Sequence, residues 1–262
     1  MPKQLTDRIK GVEELSSDIY RMTVESEYIS SAAMPGQFVN IKCCNDAGPL
    51  LRRPISIAGV NRDKGLYEII FQKKGAGTGI LAGKKPGDTL DVLGPLGNHF
   101  SLDKGYRRIA VIGGGIGIFP LLFLLNESKA EFKKAYLGFR SADNIVLEHE
   151  FRQSSDALDI ATDDGSYGAK GLVTDLIKND INVTQYDMIY TCGPLPMMKS
   201  VAEITRQEGL NCQVSMEERM GCGFGACLVC ALKTRTNDKH EWKYGHVCKD
   251  GPVFNANDVF FE

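Results

Sequence analysis

Four cysteines near the C-terminal end carry the most specific chemistry in this sequence. Cys222, Cys227 and Cys230 stand at C-x4-C-x2-C within Met220-Gly-Cys-Gly-Phe-Gly-Ala-Cys-Leu-Val-Cys230, and Cys248 follows after a further stretch. This is the plant-type spacing of a 2Fe-2S cluster, whose two irons take four thiolates. A short loop must wrap the first ligands without crowding them. Gly221, Gly223 and Gly225 are expected to allow this, because glycine takes positive φ and lets backbone N–H groups approach sulfur. Two other readings use the same residues. A structural zinc site also takes four cysteines, but ribbon-type zinc sites show two C-x2-C knuckles and only Cys227/Cys230 forms one here. A disulfide framework is the other, and the rest of the chain lends it no support.

The bounds set by composition agree with a redox protein of ordinary size. At 262 residues the chain is long enough for two ordinary domains, or for two with a small third. Its 43% hydrophobic and 24% charged content is that of a soluble globular protein and excludes a largely disordered one. A net charge of -2, without a long run of Lys or Arg, gives no electrostatic footprint for nucleic acid or an anionic membrane. Met1 to Lys10 lacks the apolar core of a signal peptide, and no later window is long and uncharged enough to span a bilayer. A cytoplasmic protein is therefore expected. In that compartment eight cysteines, four of them clustered, point to metal ligation rather than disulfides. Cys43, Cys44, Cys192 and Cys212 read as small buried residues.

The elements that must hold such a site follow from the patterning. From about residue 5 to 102 short strands alternate with turn residues: Asp18–Val24, Gln37–Ile41, Ile55–Ala58, Tyr67–Phe71 and Thr89–Leu93, punctuated by glycines. That spacing predicts a small closed antiparallel barrel, with one short helix around Thr78 to Ala82. From about 107 strands (Arg108–Ile112, Ala135–Phe139, Asp159–Thr162, Met188–Tyr190) alternate with helices (Phe119–Leu125, Leu172–Asn179, Met197–Glu208). A βαβα order predicts a parallel sheet with helices on both faces. The cysteine- and glycine-rich tail makes a third unit. The expected fold is thus α+β and multidomain, with a barrel over 1–104, an α/β domain over 105–213 and a cluster domain over 214–262. No internal repeat or low-complexity segment is visible.

Further motifs are weaker singly. Gly113-Gly-Gly-Ile-Gly117 follows a strand and opens a helix, so its N–H groups could receive a pyrophosphate. Pro120 stands where a third glycine would complete G-x-G-x-x-G, and Arg140 stands where an acidic residue would close the next strand. A tight turn that packs helix on strand reads equally well. Lys73-Lys-Gly-Ala-Gly-Thr-Gly79 suits a diphosphate or a solvated loop. Arg52-Arg53-Pro54-Ile55-Ser56 can present a guanidinium fork to phosphate, or two solubilising arginines. Cys192-Gly193-Pro194 closes the last parallel strand, where open α/β sheets bind ligands. The histidines His99, His149, His240 and His246 are scattered and receive no role.

Together these segments resemble the ferredoxin-reductase superfamily: an R-x-x-S strand in a flavin barrel, then a G-G-x-G-x-x-P nucleotide domain ending in C-G-P. With the cysteine loop Glu217–Cys230, Cys248 and the Asp250-Gly-Pro-Val-Phe254 ending, essentially the whole chain resembles the electron-transfer subunits of dihydroorotate dehydrogenase B. The resemblance implies FAD held by Arg53, Pro54, Ile55 and Ser56, with Ile70, Phe71 and Gln72 on the next strand and Gly77 and Thr78 at the pyrophosphate. Ile55 stands where the wider superfamily often has a tyrosine, so ring stacking is not carried over. It implies NAD(H) at Gly113, Gly114, Gly115, Gly117, Pro120, Cys192, Gly193 and Pro194, with Cys192 beside the nicotinamide. Arg140 leaves NADPH open on the residues, and the family favours NADH. It also implies Cys222, Cys227, Cys230 and Cys248 as cluster ligands, and a partner: an FMN-bearing dihydroorotate dehydrogenase catalytic subunit, in a heterotetramer of two of each. Two alternatives stand beside this: a related flavin and iron-sulfur reductase feeding another acceptor, such as a hydrogenase, and a zinc-stabilised adaptor without enzymatic activity.

Overall fold

A computed structural model describes residues 2–44, 48–103, 105–181, 185–236 and 241–262. Met1, Lys104 and His240 lie outside the described residues. The N-terminal part is a closed antiparallel barrel of β1 (Lys3–Ser16), β2 (Ile19–Glu25), β3 (Phe38–Lys42), β4 (Arg53–Asn61), β5 (Leu66–Gln72) and β6 (Thr89–Leu96), in the order β1-β2-β5-β4-β3-β6. Alternation along the strands sorts their side chains. Val39, Ile41, Ile55, Ile57, Ile69 and Phe71 fill the interior, while Ala58 and Ile70 face outward into a second apolar cluster. Two helices flank the strands, α1 (Glu27–Ala32) and α2 (Ala76–Ala82). The latter starts two residues earlier than the sequence pattern predicts.

The strand β1 has no counterpart among the sequence expectations. It pairs with β6 over Lys3–Arg8 and with β2 over Arg8–Ser16, breaking register between Ile9 and Gly11 as the ladder turns a barrel corner. Only one face is buried and most of its residues are charged or polar, so its period is faint in the sequence.

The second architecture is a seven-stranded sheet. Its strands are β7 (Arg108–Gly114), β8 (Phe132–Phe139), β9 (Ala157–Thr162), β10 (Ala169–Lys170), β11 (Met188–Cys192), β12 (Cys212–Ser215) and, after the hairpin β13 (Ala231–Arg235) and β14 (Trp242–His246), β15 (Val253–Asn255). The order β10-β9-β8-β7-β11-β12-β15 is parallel up to β12, and β15 runs antiparallel at the edge. Helices α3 (Phe119–Glu127) and α4 (Glu148–Ser154) cover one face, and α5 (Val173–Asp180) and α6 (Leu195–Gln207) the other. Alternate residues of β7 show this: Ile109 and Val111 join the first layer, Ala110 and Ile112 the second.

Contacts among the described residues join these parts. Helix α3, buried from Phe119 to Leu125, packs between the sheet and β4 of the barrel. Tyr190 Oη donates to the Ser101 carbonyl at 2.6 Å, and Phe100 meets the Tyr190 ring edge-on. Asn98, just past β6, donates from its backbone to the Gly251 carbonyl and from Nδ2 to the Asp250 carbonyl, both at 2.6 Å. The expected division at 213/214 falls inside β12, and β15 returns from beyond the cysteine loop to extend the same sheet. Among the described residues no helix is long and apolar enough to cross a membrane.

Candidate functional site

The cysteine loop is organised as two thiol pairs. Cys222 Sγ accepts backbone N–H bonds from Phe224, Ala226 and Cys227 at 3.4, 3.2 and 3.4 Å, and the Cys222 N–H reaches Cys227 Sγ at 3.2 Å. Burial works against the Cys222 thiolate, but these N–H bonds outweigh it and bring the pKa down to about 6. The second pair is made by the β13–β14 hairpin. Ala231 pairs with His246, which places Cys230 and Cys248 at adjacent ends; the Val247 N–H reaches the Cys230 carbonyl at 2.9 Å and the Cys248 N–H reaches Cys230 Sγ at 3.4 Å. Cys230 and Cys248 are buried and Cys227 is exposed. Gly223 takes φ +81, whereas Gly221 serves by size: a Cβ there would lie 2.9 Å from Cys227 Sγ. Leu228, between the second and third cysteines, also lies at positive φ. Among the described residues no three His, Cys, Asp or Glu side chains gather around one point. A two-iron cluster takes two thiolates per iron, and the pairing of Cys222 with Cys227 and of Cys230 with Cys248 fits that demand.

At the barrel mouth Arg52 and Arg53 part company. Arg52 clamps the barrel, donating to the Asn40 and Asp91 carbonyls at 3.3 and 3.0 Å and bridging Asp91 Oδ1 at 2.8 Å. Arg53 lies instead over the start of α2, where a Cβ on Gly77 would come within 2.5 Å of its Nε. A guanidinium set on a glycine at a helix start, where the first amides have no partner within the helix, has the donors that a phosphate group would need. Thr78 Oγ accepts from the Lys74 and Gly75 N–H groups at 2.9 and 3.2 Å, which fixes that turn. Ile55 and Phe71 point into the barrel core, while Ile70 faces outward with Gln72 on the same side of the strand, as Pro54 and Ser56 share the outward side of β4 with Ala58. Gln72 Nε2 donates to Asp18 Oδ2 at 2.5 Å.

The third group meets at the carboxyl ends of β7 and β11, where the strand order reverses and open sheets bind ligands. Cys192 pairs with Gly113, and a Cβ on Gly117 would lie 2.5 Å from Gly193 Cα and 2.6 Å from the Cys192 carbonyl oxygen. Gly114 is equally confined, by Met197 Sδ and Pro194. The two glycine-rich segments, distant in sequence, are thus in backbone contact. Gly115, Ile116 and Pro194 are exposed at this edge, and Pro120 lies deeper, buried in the first turn of α3. Burial pushes the Cys192 thiol up to about 12, with the Glu217 carboxylate adding and a Ser215 hydrogen bond opposing, so it stays neutral at physiological pH. Glu217 is solvent-accessible yet walled in: burial raises its carboxyl pKa and Lys74 of the barrel loop opposes this. The Glu217 carboxylate thus lies close enough to feel Lys74 of the barrel loop and to act on the buried Cys192 thiol.

The chain matches two family models, one for the iron-sulfur cluster binding domain of dihydroorotate dehydrogenase B over residues 217–260 and one for an oxidoreductase NAD-binding domain over 111–203. It is 42% identical over 251 residues to the dihydroorotate dehydrogenase B (NAD(+)) electron transfer subunit of Bacillus pumilus, covering 94% of each chain. The corresponding subunit of Desulforamulus reducens is 40% identical over 265 residues, with 100% of both chains covered. This chain belongs to the family of dihydroorotate dehydrogenase B electron-transfer subunits. Among solved structures, a chain of an NADH-dependent reduced ferredoxin-NADP oxidoreductase, studied for flavin-based electron bifurcation, superposes with a TM-score of 0.85 at 30% identity, covering 100% of this chain and 92% of that one. The cytochrome b5 reductase domain of Ulva prolifera nitrate reductase shares the fold, with a TM-score of 0.65 at 18% identity over 84% of this chain and 96% of that domain.

Two further residues that the sequence motifs did not single out lie beside the predicted site residues. Ser215 ends β12 and stands opposite Cys192 in the β11–β12 ladder. Asn40 lies in β3, and its Nδ2 donates to the Cys222 carbonyl at 2.9 Å. The signal for Asn40 was a lone amide inside the otherwise apolar run Phe38-Val-Asn-Ile41.

Proposed function

We propose that this chain is the NAD-facing, electron-transfer half of a dihydroorotate dehydrogenase whose other half is a separate FMN-bearing catalytic subunit, two copies of each, in the cytoplasm. The reading is supported by two thiol pairs, the first of them hydrogen-bonded to the barrel that carries R-P-I-S, and by a β7/β11 switch point in the adjoining sheet. Arg53 and Gly77, with Pro54, Ser56, Ile70, Gln72 and Thr78, would hold FAD; Ile55 and Phe71 would contribute backbone, since their side chains fill the barrel. Gly113, Gly114, Gly115, Gly117, Cys192, Gly193 and Pro194 would receive NAD(H), with Pro120 shaping the helix start behind them. Cys222 with Cys227, and Cys230 with Cys248, would each take one iron of a 2Fe-2S cluster.

A bound flavin exchanges electrons in pairs or singly, which joins hydride exchange with NAD to one-electron exchange with a cluster. The chain's residues provide the setting. The buried, neutral Cys192 thiol adds no charge at the carboxyl end of β11, and the N–H bonds to Cys222 Sγ stabilise negative charge on sulfur. Phe224, Leu228 and Val229, all more than half exposed around the ligands, form an apolar face on which the catalytic subunit would dock. The chain copurified with that subunit should reduce NAD with dihydroorotate. A complex that oxidises NADH yet never turns over dihydroorotate or orotate would sink this reading. It would favour the second one, a reductase serving another acceptor, which the likeness to the ferredoxin-NADP oxidoreductase chain supports.

A further inference from the structure

We propose that Asn40, a residue of the barrel, is a positioning residue of the cluster site: it fixes the Cys222 loop against the strand beside R-P-I-S. This rests on the reading of that loop as the 2Fe-2S site. Strand alternation sets Asn40 apart from its neighbours. Val39 and Ile41 belong to the barrel core, whereas Phe38, on the same face as Asn40, joins the apolar cluster containing Cys230 and Cys248. The outer face of β3 is thus the wall on which the cysteine unit rests.

On that wall Asn40 is 1% exposed, and its only side-chain hydrogen bond among the described residues goes to the Cys222 carbonyl at 2.9 Å. Its Oδ1 is buried with no partner. A side chain present only to fill the strand would be apolar, because an unpaired buried amide oxygen lowers stability. The loop is shaped to receive it: a Cβ on Gly223 would stand 2.2 Å from Asn40 Nδ2. The strand is also held at this point, since the Asn40 main-chain carbonyl accepts from Arg52 Nη1 at 3.3 Å and Arg52 is bridged to Asp91. Asn40 pairs with Pro54 across the β3–β4 ladder. One hydrogen bond therefore links the strand next to the FAD-binding segment to the first cluster ligand.

The test uses the full chain with its catalytic partner, as Asn40→Asp, which keeps shape and loses the donor, and Asn40→Leu, which keeps volume. FAD and iron per chain, the electron paramagnetic resonance spectrum of the dithionite-reduced cluster, and the separate rates of flavin bleaching and cluster reduction by NADH are measured. Flavin content and bleaching should match the unsubstituted chain. Iron content should fall, or the cluster spectrum should shift with its reduction slowed about fivefold, the rate factor for about 1 kcal/mol. Unchanged iron, spectrum and cluster-reduction rate in both variants would overturn the proposal. So would joint loss of flavin and iron in both, which would leave Asn40 a residue of the barrel fold alone. An unsubstituted chain with no iron-sulfur signal would instead sink the reading on which the proposal rests.

Discussion

Individual side chains differ in how far a substitution at each should spread. Cys227 is exposed and its Sγ accepts the Cys222 N–H, so Cys227→Ser opens no core. The expected outcome is loss of the iron-sulfur absorption with the flavin bands retained; an unchanged visible spectrum would contradict its role as a ligand. Gly117 is the opposite case. A methyl group there meets the main chain of Cys192 and Gly193 at 2.5 to 2.6 Å, and backbone cannot swing aside as a flexible side chain can. Gly117→Ala should push the two glycine-rich segments apart, an overpacking of about 1–3 kcal/mol. The NADH concentration for half-maximal flavin bleaching should rise tenfold or more while dithionite still bleaches the flavin at its usual rate. Equal sensitivity to NADH would show that this contact does not shape the nucleotide site. The cysteine spacing is legible because ligand chemistry imposes it on neighbouring residues. Asn40 and Ser215 are not, because each meets its neighbour, the Cys222 carbonyl or Cys192, from far away in sequence, and only the placement of β3 and β12 brings them there.

Secondary structure elements became readable in proportion to how evenly they are buried. Strands β7 and β11, covered on both faces, are continuous apolar runs, and α5 and α6 each have a clear buried side. Strand β1 and helix α4 were missed for the converse reason: α4 buries only Phe151 in its seven residues. Yet α4 carries an interdomain bond, since Arg21 on β2 reaches Glu150 Oε1 at 2.6 Å. Burial tends to raise the Glu150 pKa, but the Arg21 hydrogen bond and charge outweigh it, so the carboxyl titrates below its ordinary range. A depressed carboxylate pKa adds stability that is full above the unfolded value, about 4.3, and fades as pH falls through the lower folded value. Glu150→Gln should therefore cost about 1 kcal/mol near neutral pH, or roughly 2–4 °C in Tm. The two melting curves should converge as the solution is acidified through that window. A Tm difference independent of pH would show that packing, not the charge pair, joins α4 to the barrel.

Across the whole molecule, the succession of barrel, α/β sheet and cysteine unit was legible because periodicity changes from short strands to βαβ units near residue 107 and composition changes near 214. Their interlocking was not, because it rests on contacts between ends of the chain. The Asp250-Gly-Pro-Val-Phe254 segment begins two residues after Cys248, receives Asn98 from the barrel and then enters the sheet as β15. The cysteine unit is thereby tied to both other parts instead of hanging from a linker. The central claim is that one chain connects NADH to an iron-sulfur cluster through a flavin in its barrel. An anaerobic NADH titration of the purified chain, followed by visible absorption and electron paramagnetic resonance, tests it. The account predicts bleaching of a flavin spectrum together with the appearance of a reduced 2Fe-2S signal, and loss of that signal alone in Cys227→Ser. A protein without flavin or iron-sulfur absorption, or one whose flavin NADH bleaches while dithionite alone reduces the cluster, would contradict it.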